Sequence, residues 1–447
     1  MPEEPPIGDL YDAHLLAPMD TIGLATLLGL DSSAYNTLDY IPYQLREPIA
    51  IIVTQALECL ADAHAAGQHV NVARSLKFIY LLPTLLLRVS RVQRLTAPAA
   101  VLARLKQFAD RNVFALVADF RAECDALALL ACTGPAPASS AHSQADGDMR
   151  SAIKHIDCGD FARARRLLLS SGLADLTDQT VLDELLDKHP QSRQPINDAF
   201  LADPSLERIE ISEAGLGSVL RALDVNVAPG PNGWSNALLK ALGLTDSFTD
   251  PRAKRVVDAL RRYGELFANG DLPPWWNWLA TAVREVGLKK PAPLYGTRPI
   301  GMGCRLRTAI TRSIFTQDTR VTLGNLMAPI QVAVGVKAGI TKAIVGVSLS
   351  LEEDDQSSAI FTDIANGFNT IERDAVVAAF ADQRNPPNIR SLARLAYTTL
   401  TPASPILFGL GRARVVAPFC SVQGVQQGSA EGMPFFCFAL AKKLEGL

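Results

Sequence analysis

Residues 132–149, CTGPAPASSAHSQADGDM, show neither helical nor strand periodicity and are crowded with Pro, Ala, Ser and Gly. Such a run does not bury a face, so it must be a linker, and any fold has to be built on either side of it. Upstream, residues 10–131 read as a helical domain. Leu45 to Ala63 places Ile49, Ile52, Val53, Ala56, Leu57 and Leu60 at helical spacing, and Val101 to Val117 repeats the pattern. Asp62, Gly67 and Gln68 mark a helix end and turn. Downstream, residues 150–204 read as a helical connector, with one helical segment from about Arg150 to Leu186. From residue 205 onward helices alternate with short strand-like runs. Helices at one end and mixed elements at the other predict an α+β fold.

Composition narrows the class. Of 447 residues 48% are hydrophobic and 20% charged, enough apolar surface for a full core. The longest apolar stretch, Phe78 to Leu87, is far shorter than the roughly 20 residues of a membrane span and contains Pro83. The opening MPEEPPIGDL lacks the apolar core of a secretory signal, and seven scattered Cys do not form a disulfide framework. An intracellular protein with no membrane partner is expected. The net charge of −3 conceals an asymmetry. Residues 251–350 hold 15 Lys and Arg against 5 Asp and Glu, whereas residues 1–229 hold 19 against 29. A basic block in an acidic chain suits a polyphosphate partner, or else is a solvated surface.

In the C-terminal region Ser212 followed by Glu213 and an apolar run predicts a capped helix, and Ala228-Pro-Gly-Pro-Asn-Gly-Trp234 must turn. A helix over 252–268, strand-like runs at 280–288 and 298–301 and one amphipathic helix over 303–324 follow. That helix carries Arg305, Arg307, Arg312 and Arg320 on its polar positions. A helix over 338–351 precedes Ala359-Ile-Phe-Thr-Asp363, read as a short apolar strand with a carboxylate at its end. Helices over 372–382 and 389–400, a hairpin of PILFGL and ARVVAPF, and a helix over 433–445 complete the chain. A rigidly held carboxylate at a strand end suits Mg²⁺, which wants one or two such ligands and leaves positions for water and phosphate. The alternative for Asp363 alone is a turn or helix-initiating aspartate. His155 and Cys158 form a lone pair without partners at zinc spacing.

The run Ile360-Phe-Thr-Asp-Ile-Ala-Asn-Gly-Phe-Asn-Thr-Ile-Glu-Arg373 resembles motif A of the reverse transcriptase palm, in the form found in non-LTR, LINE-like retrotransposons. Other blocks resemble the same family in the same order: Ala228 to Trp234, Leu288-Lys-Lys-Pro291 with Thr297-Arg-Pro-Ile300, Gln331 to Val334, Leu395 to Tyr397, and Ser421 to Gly428 as motif B. The resemblance covers about 200 residues and implies that 205–447 form partial fingers and palm of an RNA-directed DNA polymerase. Asp363 would be the catalytic residue and a ligand of the Mg²⁺ pair, helped by the Ile364 carbonyl. Phe368 would be the aromatic gate that favours dNTPs. Arg298 and one of Lys289 and Lys290 would clamp the triphosphate, and Gln427 and Gly428 would line the nucleotide pocket. The partners implied are an RNA template, a DNA primer and dNTPs.

The chain departs from the family in three places. Asn366-Gly-Phe368 replaces the usual Asn-Ala-Phe. Ser429-Ala-Glu-Gly432 replaces the Asp-Pro that usually follows motif B. The [FY]-x-D-D pair expected after motif B is not found in the sequence, so it reads as truncated before that motif. One carboxylate of three should not support two-metal nucleotidyl transfer. The expectation is therefore a nucleotidyltransferase domain incompetent by itself, with a non-catalytic nucleic-acid-binding remnant using the basic fingers surface as the alternative.

Overall fold

The computed structural model describes residues 15–28, 36–37, 41–89, 97–133, 172–192, 194–242, 251–290, 295–354, 356–410 and 413–445, with isolated positions between 149 and 165. The fold mixes helices with one four-stranded sheet, as the alternating texture predicts. The expected linker lies outside the described residues except for Met149 and its first two positions, which close the helix Val113–Thr133. Most of 150–171 also lies outside them.

Helices α1 (Tyr43–Ala65) and α2 (His69–Leu87) form an antiparallel pair. Gly67, at φ +66°, makes the turn between them. Helices α3 (Ala97–Ala109) and α4 (Val113–Thr133) pack on α2. The periodic run from Val101 to Val117 is thus broken at Asp110–Asn112 into two helices. Helix α2 is long and apolar enough to cross a membrane, but most of it is buried within the protein. Its apolar faces are satisfied by neighbouring helices and need no lipid.

The helical region and the C-terminal region share one hydrophobic cluster, running from Leu45, Phe78 and Phe108 to Leu260, Ile310, Phe380 and Phe438. Trp234 is 1% exposed and its Nε1 donates to the Ile79 carbonyl at 2.9 Å. Arg255 pairs with Glu58 at 2.7 Å and Arg262 with Asp62 at 2.8 Å. The change of texture along the sequence is therefore not a boundary in packing.

The connector breaks where a continuous helix was expected. Leu173 bridges Leu288 in antiparallel fashion, and the helix restarts only at α5 (Gln179–Asp187), where the Asp178 side chain caps Thr180 N–H at 2.9 Å. Strands β1 (Val283–Lys289), β2 (Thr297–Gly303), β3 (Ser404–Leu410) and β4 (Ala413–Ser421) form a sheet of order β2-β1-β3-β4. The two hairpins are antiparallel, and β1 pairs β3 in parallel through Val283↔Ile406 to Glu285↔Phe408. Helix α5 and the segment before it cover one face, packing Leu185 and Leu176 on Val283, Ile406 and Phe408. The remaining α-helices of more than four residues are α6 (Glu213–Arg221), α7 (Asn236–Leu242), α8 (Pro251–Ala268), α9 (Pro274–Ala280), α10 (Arg305–Ile314), α11 (Gln317–Met327), α12 (Gly339–Glu353), α13 (Arg373–Ala381), α14 (Leu392–Leu400) and α15 (Gly432–Leu444). Ser212 caps α6 as predicted, its Oγ accepting from Gly215 N–H at 3.3 Å.

Two expectations fail for physical reasons. The single helix over 303–324 is two, because Thr316 leaves the helix and caps α11 through its hydroxyl, which accepts from Thr319 N–H at 3.2 Å. Arg305 and Arg307, expected on the polar face, are buried at 7% and 3% exposure. The strand at 359–363 also does not form. Residues 357–364 have no ladder partner among the described residues, and Ile360 and Phe361 are 89% and 83% exposed.

Candidate nucleotide and nucleic-acid site

The sequence blocks are far apart in the chain, and the fold brings Ala228 to Trp234 and the Gln427-Gly428 loop against β2, with the Asn366–Ile371 turn against that loop. Register decides which residues share the uncovered face of the β1–β2 hairpin. Arg284↔Met302, Val286↔Ile300 and Leu288↔Arg298 are paired, so these six side chains alternate away from the face covered by α5. Lys289 pairs with buried Thr297 and belongs to the covered side, although its own side chain is exposed at the hairpin end. Lys290 extends the ladder, donating its N–H to the Gly296 carbonyl at 2.8 Å. Alternation therefore puts Lys290, rather than Lys289, on the side of Arg298.

Ala228 to Trp234 docks at the far end of the same hairpin. A Cβ on Gly230 would lie 2.4 Å from the Gly303 carbonyl oxygen, so only glycine fits this crossing. Asn232 Nδ2 donates to Cys304 Sγ at 3.0 Å, and Arg305 Nε donates to the Ala228 carbonyl at 2.8 Å. The Gln427-Gly428 loop meets β2 in the middle, where a Cβ on Gly428 would sit 3.2 Å from the Gly301 carbonyl. Its neighbour Gln426 is fixed twice, donating to the Thr281 carbonyl at 2.9 Å and accepting from Arg307 Nη2 at 2.7 Å. Gln427 is half-buried and Gly428 exposed.

The turn Asn366–Ile371 packs against the other side of that loop. Val425 N–H donates to the Phe368 carbonyl at 2.7 Å and Gly424 N–H to the Ile371 carbonyl at 3.0 Å. Phe368 is half-buried and stacks on Phe436 of α15, with centroids 4.8 Å apart and planes at 18°. A Cβ on Gly367 would lie 3.1 Å from the Phe436 ring of this pair.

Arg373 fastens the assembly, and the sequence assigned it no role. It is 4% exposed and makes five hydrogen bonds: to the carbonyls of Gly424 at 2.9 Å, Leu400 at 2.7 Å, Pro402 at 3.0 Å and Ser421 at 3.0 Å, and to Ser421 Oγ at 2.9 Å. Burial away from any carboxylate pulls its pKa down to about 10. Its partners follow it by 27 to 51 residues, so nothing in the local sequence announces them.

The expected Mg²⁺ site fits less well. Asp363 lies on the exposed, unpaired run ahead of this turn, not at the edge of a sheet. The Ile364 carbonyl, expected to help bind the ion, accepts from Gly367 N–H at 3.3 Å. Among the described residues no group of three or more His, Cys, Asp or Glu side chains is placed to hold a metal ion. A lone solvated carboxylate does not supply the rigid ligand set that Mg²⁺ catalysis requires.

Exposed apolar residues continue from Ile360 and Phe361 back into α12, where Ile340, Ile344, Val345 and Leu349 are all exposed. The blocks at Gln331 to Val334 and Leu395 to Tyr397 behave differently. Gln331 Oε1 accepts from Val334 N–H at 2.9 Å in a local turn, and Leu395 is buried in the core. Neither reaches the hairpin face through a hydrogen bond recorded among the described residues. No protein-family model matches the chain, and no curated protein matches it.

Proposed function

We propose that the chain is a reverse-transcriptase-type domain protein of retroelement origin that binds nucleic acid and deoxynucleotides on the β1–β2 hairpin face. The observation that supports this reading is convergence. Gly230 on Gly303, Gly428 on Gly301, and Phe368 on Val425 bring three blocks of the resemblance to one hairpin and its adjoining loop. A chance succession of motif-like runs has no reason to meet in space.

In this reading Arg298 and Lys290 hold the nucleotide phosphates, the first through its fork and the second as a point charge. Gly428 lets the substrate approach backbone, and Phe368, braced by Phe436, bounds the sugar. Asp363 stands alone on its exposed run, and no transfer step is assigned to these 447 residues. Nucleotidyl transfer would need further carboxylates.

The test is fluorescence anisotropy with a labelled primer–template and with a labelled dNTP, alongside primer extension. Salt-sensitive binding of the duplex, dNTP binding weakened about tenfold by the Lys290→Ala/Arg298→Ala pair, and no extension product are expected. Binding that ignores both substitutions would refute the assignment.

A further inference from the structure

The amino end of α10 brings Arg305 and Arg307 near Arg284 of β1. Arg305 lies within electrostatic reach of Arg284, Arg307 and Arg312, which together with burial hold its pKa below the usual arginine value. Among the described residues Glu431 faces Arg307, its carboxylate 3.4 Å from Arg307 Nη1. Arg305 is 7% exposed, and only its Nε is used, on the Ala228 carbonyl. Among the described residues neither of its Nη groups has a partner. Arg284 is half-buried on the open face of β1. Its Nη2 reaches only the Met302 sulfur at 3.5 Å, and its Nε is buried without a partner. Arg307 Nε is likewise buried and unpaired. The helix that begins here has no side-chain cap from Cys304, so its N-terminal field adds to the same positive region.

Buried charges are normally paired, because stripping water from an unpaired one is costly. Guanidiniums left with free, forked donors against an uncapped helix end are matched by a phosphate group. The location says which phosphate. Arg284 lies opposite Met302, four residues along β2 from Arg298, which is about 13 Å at the usual strand rise. One phosphate group held at Arg298 does not span that distance, and Arg284 lies on the same face.

We propose that Arg284 and Arg305, with Arg307 behind them, form a second anion site that grips a backbone phosphodiester of the nucleic-acid strand lying across this face. The site rests on the reading of the face as nucleic-acid-binding and extends it to a position outside the nucleotide clamp.

The experiment measures anisotropy of a labelled single-stranded oligonucleotide from 50 to 300 mM salt for the full chain and its Arg284→Met and Arg284→Lys variants. Loss of one phosphate contact lowers the log–log salt slope by about 0.7, equivalent to about fivefold weaker binding at 0.1 M salt. Arg284→Met should show both effects, with an unchanged or higher melting temperature because an unpaired buried charge is gone. Arg284→Lys, which keeps the charge, should retain the slope and keeps the test open if the Met variant fails to fold. An unchanged slope in Arg284→Met with binding intact overturns this site and leaves the nucleic-acid reading standing. A loss of labelled-dNTP affinity with an unchanged oligonucleotide slope assigns the cluster to free nucleotide and also overturns it. No oligonucleotide binding by the unsubstituted chain overturns both.

Discussion

Arg373→Met removes the one side chain that joins the Phe368 turn, the end of β4 and the Gln427 loop. The substitution keeps an unbranched apolar stem of similar reach, so packing changes little and the hydrogen bonds carry the effect. Four carbonyls lose a charged donor. A buried carbonyl left without a partner costs about 1 kcal/mol at the low end of the range, which gives about 4 kcal/mol before compensation. Relief from burying an unpaired cation returns part of this, leaving about 3 kcal/mol. Urea denaturation of both proteins measures the difference. Arg373→Lys restores the charge but cannot span partners on three segments, and should recover about 1 kcal/mol of the loss. The same variants should weaken dNTP binding, since the loop that presents Gln427 and Gly428 is no longer tied down. A loss below about 1 kcal/mol for Arg373→Met would refute the account of Arg373 as the fastening of the site.

Gly424→Ala should destabilise by about 3 kcal/mol in the same assay. The residue sits at φ +71°, and a Cβ would meet the Asn369 backbone at 2.4 Å, so strain and a lost turn contact combine. Gly367→Ala should bring none of the roughly 1 kcal/mol that helix propensity promises, because the methyl meets Phe436; a melting temperature raised by several degrees would contradict this. Asp203 is held down to about 2 by the Ser205 hydroxyl and backbone N–H and by Arg390. Its folded pKa lies below the unfolded value near 3.8, so its contribution is full above pH 3.8 and fades as pH falls towards 2. Asp203→Asn should flatten acid unfolding in that window, measured by circular dichroism, and lower stability over pH 5–7 by an amount that does not change with pH.

Local rules made several elements legible. The Ser212 cap, α8, and the hairpin of PILFGL and ARVVAPF follow from signals within a few residues, and the structure has them at nearly the expected bounds. The turn at Gly230 was legible as a turn, but its destination on Gly303 was not. Arg305 and Arg307 were misread because charge alone suggests a solvated face, whereas Arg307 meets Glu431 and Gln426 over a hundred residues later and Arg305 donates to the Ala228 carbonyl far upstream. The Asp363 run was misread for a related reason. Ile-Phe-Thr has strand composition, but a strand requires a ladder partner, and none is present among the described residues. Choosing between Lys289 and Lys290 needed the register of the hairpin, which composition does not encode. The Thr316 cap that splits the 303–324 helix did leave a local signal, a Thr three residues before Thr319.

The central claim is that the β1–β2 hairpin face binds nucleic acid and nucleotide together. Its most direct test is the affinity of the full 447-residue chain for a labelled primer–template, titrated with salt and with dNTP, against a Lys290→Ala/Arg298→Ala/Arg284→Met triple variant. The account predicts tight binding that weakens steeply with salt in the unsubstituted protein, and in the variant a primer–template salt slope lower by about 0.7 to 0.9, one phosphate contact, together with dNTP binding weakened about tenfold at unchanged secondary structure. Equal affinity and equal slope in the two proteins would contradict it.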